Sequence, residues 1–256
     1  MSDVLSSEWT KLHSLRSTWY AVLGTLAVGV GVGLMSSQAH VGFYGSSEPA
    51  DQAAFDPTEA SLNGLLTAQL VISVLGVLAI TSEYATGMIG PSALAVPRRG
   101  RLLAAKAAVF APVAFGTGLL VAFGAFLPGQ AMLAAGGVPH ASLGDPGVLR
   151  ALVGCGLYLT AIGLLGLALG TLCRSTAGAI GCLVTVILLV RVLAQMLPEA
   201  AYDAFDKYWP IVAGERITHV APDAGALSPW AGFALLVAAV AATLAAALWT
   251  LRARDI

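Results

Sequence analysis

Long apolar stretches alternate with shorter polar connections along the whole chain. A membrane core of about 30 Å is crossed by a helix of roughly 20 apolar residues. Backbone inside lipid must satisfy its own hydrogen bonds, so apolar stretches of this length predict transmembrane helices. Six such stretches occur, at about residues 19–35, 62–81, 102–127, 149–172, 176–197 and 230–251. The predicted fold class is an all-α, polytopic membrane protein with six transmembrane helices.

The composition leaves little room for a water-soluble domain. The chain is 57% hydrophobic and 11% charged, and its mean hydropathy is +0.83. Soluble domains carry about 25% charged residues. We therefore expect residues 1–256 to form a single transmembrane domain that contacts the lipid bilayer. The sequence has no basic block that would favour a nucleic-acid partner.

Lysine and arginine are distributed unequally over the connections. With both termini in the cytoplasm, the outer segments hold only Arg150, Lys207 and Arg216. The cytoplasmic segments then hold Lys11, Arg16, Arg98, Arg99, Arg101, Lys106, Arg174, Arg252 and Arg254. Cytoplasmic loops are enriched in Lys and Arg, so this pattern predicts cytoplasmic N- and C-termini in a bacterial plasma membrane. In the alternative, the first span is a cleaved signal peptide and five spans remain.

Residues 1–18 have a helical amphipathic pattern. Apolar side chains recur at helical spacing, at Leu5, Trp9, Leu12, Leu15 and Trp19. Charged and hydroxyl side chains, including Glu8 and Lys11, occupy the remaining positions. This pattern predicts a helix that lies in the headgroup region with its tryptophans at the interface. A frayed polar tail is the alternative.

The cytoplasmic connection 82–101 is both basic and apolar. Its arginines, together with Lys106 in the next span, would anchor the protein and bind anionic headgroups. That role does not account for its apolar residues, which are Tyr84, Met88, Ile89, Leu94 and Val96. Apolar side chains in an exposed connection favour a docking surface for another protein.

Several motifs resemble those of actinobacterial membrane subunits (permeases) of ATP-binding-cassette type-2 transporters. The motifs are Glu8-Trp9-Thr10-Lys11-Leu12, Arg16-Ser17-Thr18-Trp19, Ser82-Glu83-Tyr84-x-Thr86-Gly87, Val96-Pro97-Arg98-Arg99-Gly100-Arg101 and Ala104-Ala105-Lys106. The six-span layout, with its short connection 173–175, is also similar. The resemblance covers the whole chain in layout, whereas the specific motifs lie in the first 110 residues. Gly90 departs from the pattern, because the family often has a basic residue there.

The resemblance implies a permease subunit that forms an export pathway for a hydrophobic or amphipathic substrate. Residues 82–101 would hold a coupling helix that docks onto a separate ATPase subunit, and a second permease copy or a sister permease would complete the pathway. ATP would bind in the partner, and this chain would bind no cofactor. The residues carried over to docking and coupling are Glu83, Tyr84, Thr86, Gly87, Pro97, Arg98, Arg99, Arg101 and Lys106.

The sequence lacks the motifs of several enzyme classes. It contains no G-x-x-x-x-G-K-[ST], H-E-x-x-H or G-x-S-x-G motif, so we expect neither an ATPase site nor protease or esterase chemistry in this chain. Its cysteines and histidines are not at metal-ligand spacing. Two other classes stay open: a membrane scaffold or immunity-type protein that transports nothing, and an ion-coupled carrier. The absence of paired acids within the spans argues against the carrier.

The outer half of the molecule supplies further candidates. Arg191 and Gln195 lie near the outer end of the fifth span, and Arg191 either extends to the headgroups or belongs to the pathway. In the extracellular connection 198–229, Pro210 should break a helix. The residues that share a helical face across it are Ala201, Phe205, Tyr208, Trp209 and Val212. The resemblance implies short re-entrant helices here, and a surface helix is the alternative.

Small residues recur at a spacing of four in two of the predicted spans. The pairs are Gly29 with Gly33 and Gly166 with Gly170. Small residues at this spacing let helices approach closely. We expect them to pack helices within the subunit.

Overall fold

The structure, a computed structural model, describes residues 2–14, 16–85, 99–221 and 225–253. Within these ranges the chain forms helices and turns and no strand. The helices are α1 (Ser2–Ser14), α2 (Arg16–Phe43), α3 (Pro49–Ala54), α4 (Pro57–Leu62), α5 (Leu65–Ala85), α6 (Arg99–Ala135), α7 (Val148–Cys173), α8 (Thr176–Val184), α9 (Val190–Ala194), α10 (Glu199–Tyr208), α11 (Pro210–Glu215) and α12 (Pro229–Ala253). A π-helical turn, Thr185–Leu189, joins α8 to α9.

Six helical segments of the described chain are long and apolar enough to cross a membrane. They are Arg16–Ser46, Pro57–Tyr84, Gly100–Ala135, Val148–Cys173, Thr176–Ala194 and Pro229–Leu251. The predicted all-α fold with six membrane-crossing helices is therefore confirmed. The protein is a multi-pass membrane protein, preceded by the separate N-terminal helix α1.

Two spans extend well beyond their apolar stretches. α2 continues to Phe43 and α6 continues through Pro128 to Ala135. Their polar residues stay helical because they find partners inside the bundle. Gln130 on α6 donates to the carbonyl of Pro57 at 2.7 Å and to Ser61 Oγ at 2.8 Å. Hydropathy alone ends these spans too early, since it does not register polar groups that are satisfied by neighbouring helices.

α5 and α7 form the centre of the bundle. In the most apolar stretch of each span, the buried share of residues is 72% in α7 and 61% in α5. It is 22% in α2, in α8–α9 and in α12. The peripheral helices expose large apolar side chains such as Tyr20, Met35 and Trp249. Exposed apolar surface of this extent suits a protein whose solvent is lipid.

Glycines allow helices of the bundle to touch through their backbones. A Cβ atom on Gly64 would lie 1.8 Å from the carbonyl oxygen of Gly29, and one on Gly166 would lie 2.1 Å from that of Ser73. Gly33 and Gly170 also face neighbouring helices of the same chain. The predicted role of these spaced glycines in packing within the subunit is confirmed.

The two ends of the bundle differ in charge. One end holds α1, the start of α2, the end of α5, the start of α6 and the end of α7. We call it the basic end, because Arg16, Arg101 and Arg174 lie there together with Lys11 and Lys106. The opposite end, which we call the acidic end, holds α3, α4, α10 and α11 and most of the acidic residues.

The connection before α12 contains one exposed and one buried helix. Pro210 separates them and occupies the first position of α11, where its missing N–H costs no helical hydrogen bond. The predicted break at Pro210 is therefore confirmed. All five following residues, Ile211 to Glu215, are buried, and Gly232 on α12 lets the backbone of Ala213 approach. α10 remains exposed, so only the second helix is inserted into the bundle.

Candidate functional site

Four charged side chains meet in a buried group at the basic end. Lys106 Nζ donates to Glu8 Oε2 and to Glu83 Oε1, each at 2.7 Å. Lys11 Nζ donates to Glu8 Oε1 at 3.0 Å and to Glu83 Oε1 at 3.1 Å. Lys106, Glu8 and Glu83 are buried, whereas the side chain of Lys11 is 39% exposed. We call Glu8, Lys11, Glu83 and Lys106 the charge cluster.

Three helices bring the charge cluster together. Glu8 and Lys11 are one helical turn apart on α1, so both project from the same face. Glu83 lies in the last turn of α5, and Lys106 lies two turns into α6. The cluster therefore fastens α1 to the helices on both sides of residues 86–98.

The cluster is electrically balanced. A buried ion costs several kcal/mol unless other charges and hydrogen bonds compensate it. Here two carboxylates face two ammonium groups, and Lys106 Nζ completes its set of donors with the carbonyl oxygen of Ala79 at 3.3 Å. Balanced ion pairs of this kind hold helices in a fixed arrangement.

Lys11 remains charged despite its partial burial. Burial opposes its charged form, but the hydrogen bond to Glu8 and the negative charges of Glu83 and Glu8 outweigh that effect. The pKa of Lys11 is therefore raised above its usual value. The ammonium group stays available for ion pairing throughout the physiological pH range.

Tyr84 meets the turn between α7 and α8. The guanidinium carbon of Arg174 lies 5.9 Å from the centroid of the Tyr84 ring, within the range of a cation–π contact. Arg174 ends α7 in the left-handed conformation, with φ 53°. This is uncommon for a residue other than glycine. The residue next to Glu83 is thus attached to the end of the central helix α7.

Some of the residues predicted for docking make contacts within the protein, one is exposed, and the others are not described. Glu83 and Lys106 belong to the charge cluster, and Tyr84 contacts Arg174. Arg101 is exposed on α6. The predictions for Thr86, Gly87, Pro97 and Arg98, and for the side chain of Arg99, lie outside the described residues.

The structure shows a contact of α1 that its amphipathic pattern does not predict. Glu8, one of the polar residues of that pattern, is buried against Lys106, while Trp9 is 46% exposed. The charged face of α1 therefore contacts the protein. The reason is Lys106, which lies inside the third span and requires a counter-charge. An unpaired lysine within a predicted span is the sequence signal that points to such a partner.

Arg191 is paired across the acidic end. Its Nη1 donates to Glu215 Oε2 at 2.8 Å, which joins α9 to the buried helix α11. The arginine side chain is 42% exposed and the glutamate side chain 11% exposed. Arg216 pairs with Asp206 nearby. Gln195, the other candidate pathway residue, has an exposed side chain.

No protein-family model matches the chain, and no curated protein is significantly similar to it. Among the described residues, no group of three or more His, Cys, Asp or Glu could hold a metal ion. The fold, the charge cluster and the sequence motifs are therefore the features that bear on function.

Proposed function

We propose that the chain is the membrane-spanning permease subunit of an ATP-binding-cassette exporter, docked to a separate ATPase subunit through residues 82–101. The charge cluster is the observation that carries the proposal. It holds α1, α5 and α6 together at the two ends of the proposed docking segment. A force applied to that segment would reach the three helices as one unit.

α5 provides a route from the docking segment into the bundle. Its last turn carries Glu83 and Tyr84, and its middle packs against the central helix α7 through Gly76 and Gly163. Backbone contacts this close resist sliding. ATP binding and hydrolysis in the partner would therefore shift α5 and α7 together and change the access of an apolar or amphipathic substrate to the pathway.

The proposed orientation places the basic end in the cytoplasm of a bacterium. The described basic end carries Lys11, Arg16, Arg101, Lys106 and Arg174, as expected of the cytoplasmic side. Trp9 on α1 and Trp19 in the first turn of α2 are each 46% exposed, at a position where tryptophans would meet lipid headgroups. Both termini would then be cytoplasmic. The peripheral helices α2, α8–α9 and α12 leave surface for a second permease or for lipid.

Charge reversal in the docking segment tests this proposal. In the triple variant Arg98→Glu, Arg99→Glu, Arg101→Glu, the ATPase should no longer co-purify, and substrate should no longer stimulate ATP hydrolysis in reconstituted vesicles. The matched control is Lys207→Glu, on α10 at the acidic end, which should leave both properties unchanged. Stimulated ATP hydrolysis at the wild-type level in the triple variant would overturn the proposal.

A further inference from the structure

A cavity of about 330 Å³ opens beside the charge cluster, between α1, α2, α5 and α6. Its volume lies within the range of small-molecule sites, about 300–1,000 Å³. Polar side chains, among them Ser14 and Ser17, surround the part near α1. Apolar residues form the rest of the wall: Leu12, Leu75, Leu78, Ala79, Val109 and Phe110. The cavity is polar at one end and apolar at the other, as an amphiphile requires.

The apolar part is deep enough for a hydrocarbon chain. Leu75 lies eight residues before Glu83 on α5, which corresponds to about 12 Å along the helix axis. Both residues line the cavity, and Leu75 and Phe110 are buried. A molecule whose head lies beside Glu83 can therefore place an apolar tail between α5 and α6.

The hydrogen bonds of the cluster leave one acceptor and one donor unused. Lys106 Nζ has three N–H groups and uses all of them. Among the described residues Lys11 Nζ finds two acceptors, which leaves one N–H for a ligand, and its side chain is 39% exposed. Glu83 Oε1 accepts from both lysines, whereas Glu83 Oε2 is buried and has no hydrogen-bond partner among the described residues. A buried carboxylate oxygen without a donor, on a residue that lines a cavity, points to a donor supplied from the cavity.

We propose that this cavity binds an ethanolamine phospholipid from the adjoining leaflet. Its ammonium group donates to Glu83 Oε2, its phosphate accepts from Lys11 Nζ, and one acyl chain occupies the apolar part as far as Leu75 and Phe110. Such a headgroup carries both charges, so it fills the unused donor and the unused acceptor and leaves the cluster balanced. This binding site is additional to the proposed export function and does not depend on it.

Lipid selectivity tests the role of the headgroup. The purified, delipidated protein is titrated with phosphatidylethanolamine, and bound lipid is counted by native mass spectrometry. Phosphatidylcholine with the same acyl chains is the matched comparator, because its trimethylated nitrogen has no N–H to donate. One charge-assisted hydrogen bond predicts a preference of at least about tenfold for one bound phosphatidylethanolamine. Equal binding of phosphatidylcholine, or a preference for anionic phosphatidylglycerol, would overturn the proposal.

Two variants locate the bound lipid. Ser17→Trp should obstruct the cavity, since Ser17 is exposed and lines it, and the single phosphatidylethanolamine should be lost. Ser7→Trp is the control, because Ser7 is exposed on α1 and does not line the cavity. Glu83→Gln should abolish the preference over phosphatidylcholine. If Glu83→Gln fails to fold, Ser17→Trp decides, and wild-type binding in that variant would place the lipid elsewhere.

Discussion

The two ends of the bundle hold their helices by different kinds of ion pair. At the basic end, the charge cluster joins residues 23, 72 and 98 positions apart, and both partners of its closest pairs are buried. At the acidic end, Arg191–Glu215 and Arg216–Asp206 join residues 24 and 10 positions apart. In each of these pairs one side chain is about 40% exposed.

The burial of the ion pairs indicates which end moves as a unit. A buried, balanced group is costly to open, because each ion would be left without its partner in a poorly hydrated site. A pair with one exposed member costs less to open, because water or headgroups take over the charge of that member. The basic end therefore behaves as a rigid connection to the docking segment, whereas the acidic end depends less on its ion pairs, since α11 is held mainly by its buried residues.

The largest effect is expected from Lys106→Met. This substitution removes the cation that contacts both buried carboxylates, and it should destabilise the protein by about 3–5 kcal/mol. The measurement is thermal unfolding of the purified protein in detergent. Arg101→Met on the same helix is the control, and its effect should stay within about 0.5 kcal/mol because Arg101 is exposed. Equal stability of the two variants would show that the cluster is not a structural connection.

A double substitution tests whether Glu8 and Lys106 act together in holding α1. Adding Glu8→Gln to Lys106→Met restores charge balance, because Glu83 and Lys11 remain as a pair. We expect the two effects to be non-additive by roughly 1–3 kcal/mol, as for residues in one network. A thermodynamic cycle over the four proteins measures this coupling. Simple additivity would mean that α1 is held by its apolar contacts alone.

A smaller and asymmetric effect is expected at the acidic end. Arg191→Met leaves Glu215 buried without its cation, and we expect a loss of about 1 kcal/mol after allowing for the exposure of the arginine. Glu215→Gln should cost less, because the freed arginine can extend towards the headgroups. Thermal unfolding of both variants tests the order. The reverse order would indicate that Arg191 is held within the bundle.

The smallest effect concerns the loop after α6. The backbone N–H and the hydroxyl of Ser142 donate to Asp145, and these hydrogen bonds lower the pKa of its carboxyl group. A lowered pKa stabilises the fold above the unfolded value of about 3.9, and this stabilisation is lost as the pH falls through the folded pKa. The difference in Tm between wild type and Asp145→Asn should therefore shrink from pH 7 to pH 3. A difference that grows at low pH would contradict this assignment.

The sequence predicts the six spans but not the residues at which they end. Apolar stretches of helical length predict the spans directly, whereas the continuation of α6 to Ala135 depends on partners such as those of Gln130, which are 69 and 73 positions away. The buried position of α11 likewise depends on its contact with α12. Hydropathy is a local property, and these features are set by contacts between distant segments.

The candidate site was predicted in part. Basic residues next to apolar ones mark the segment 82–101 and Lys106 in the sequence. Glu83 is a candidate because its motif resembles that of the family. The burial of Glu8 against Lys106 could not be predicted, because an amphipathic pattern does not reveal that a buried lysine elsewhere needs a carboxylate. The pairing of Arg191 with Glu215 could not be chosen from the sequence, which has several acids near that end.

Recovery of a partner from native membranes tests the central proposal most directly. The tagged chain is extracted in mild detergent, and the proteins that remain bound are identified and counted. We expect a stoichiometric ATPase with a P-loop, lost in the variant with Arg98, Arg99 and Arg101 replaced by Glu. Recovery of the chain alone, under conditions that keep a known exporter intact, would contradict the proposal and favour a scaffold or an ion-coupled carrier.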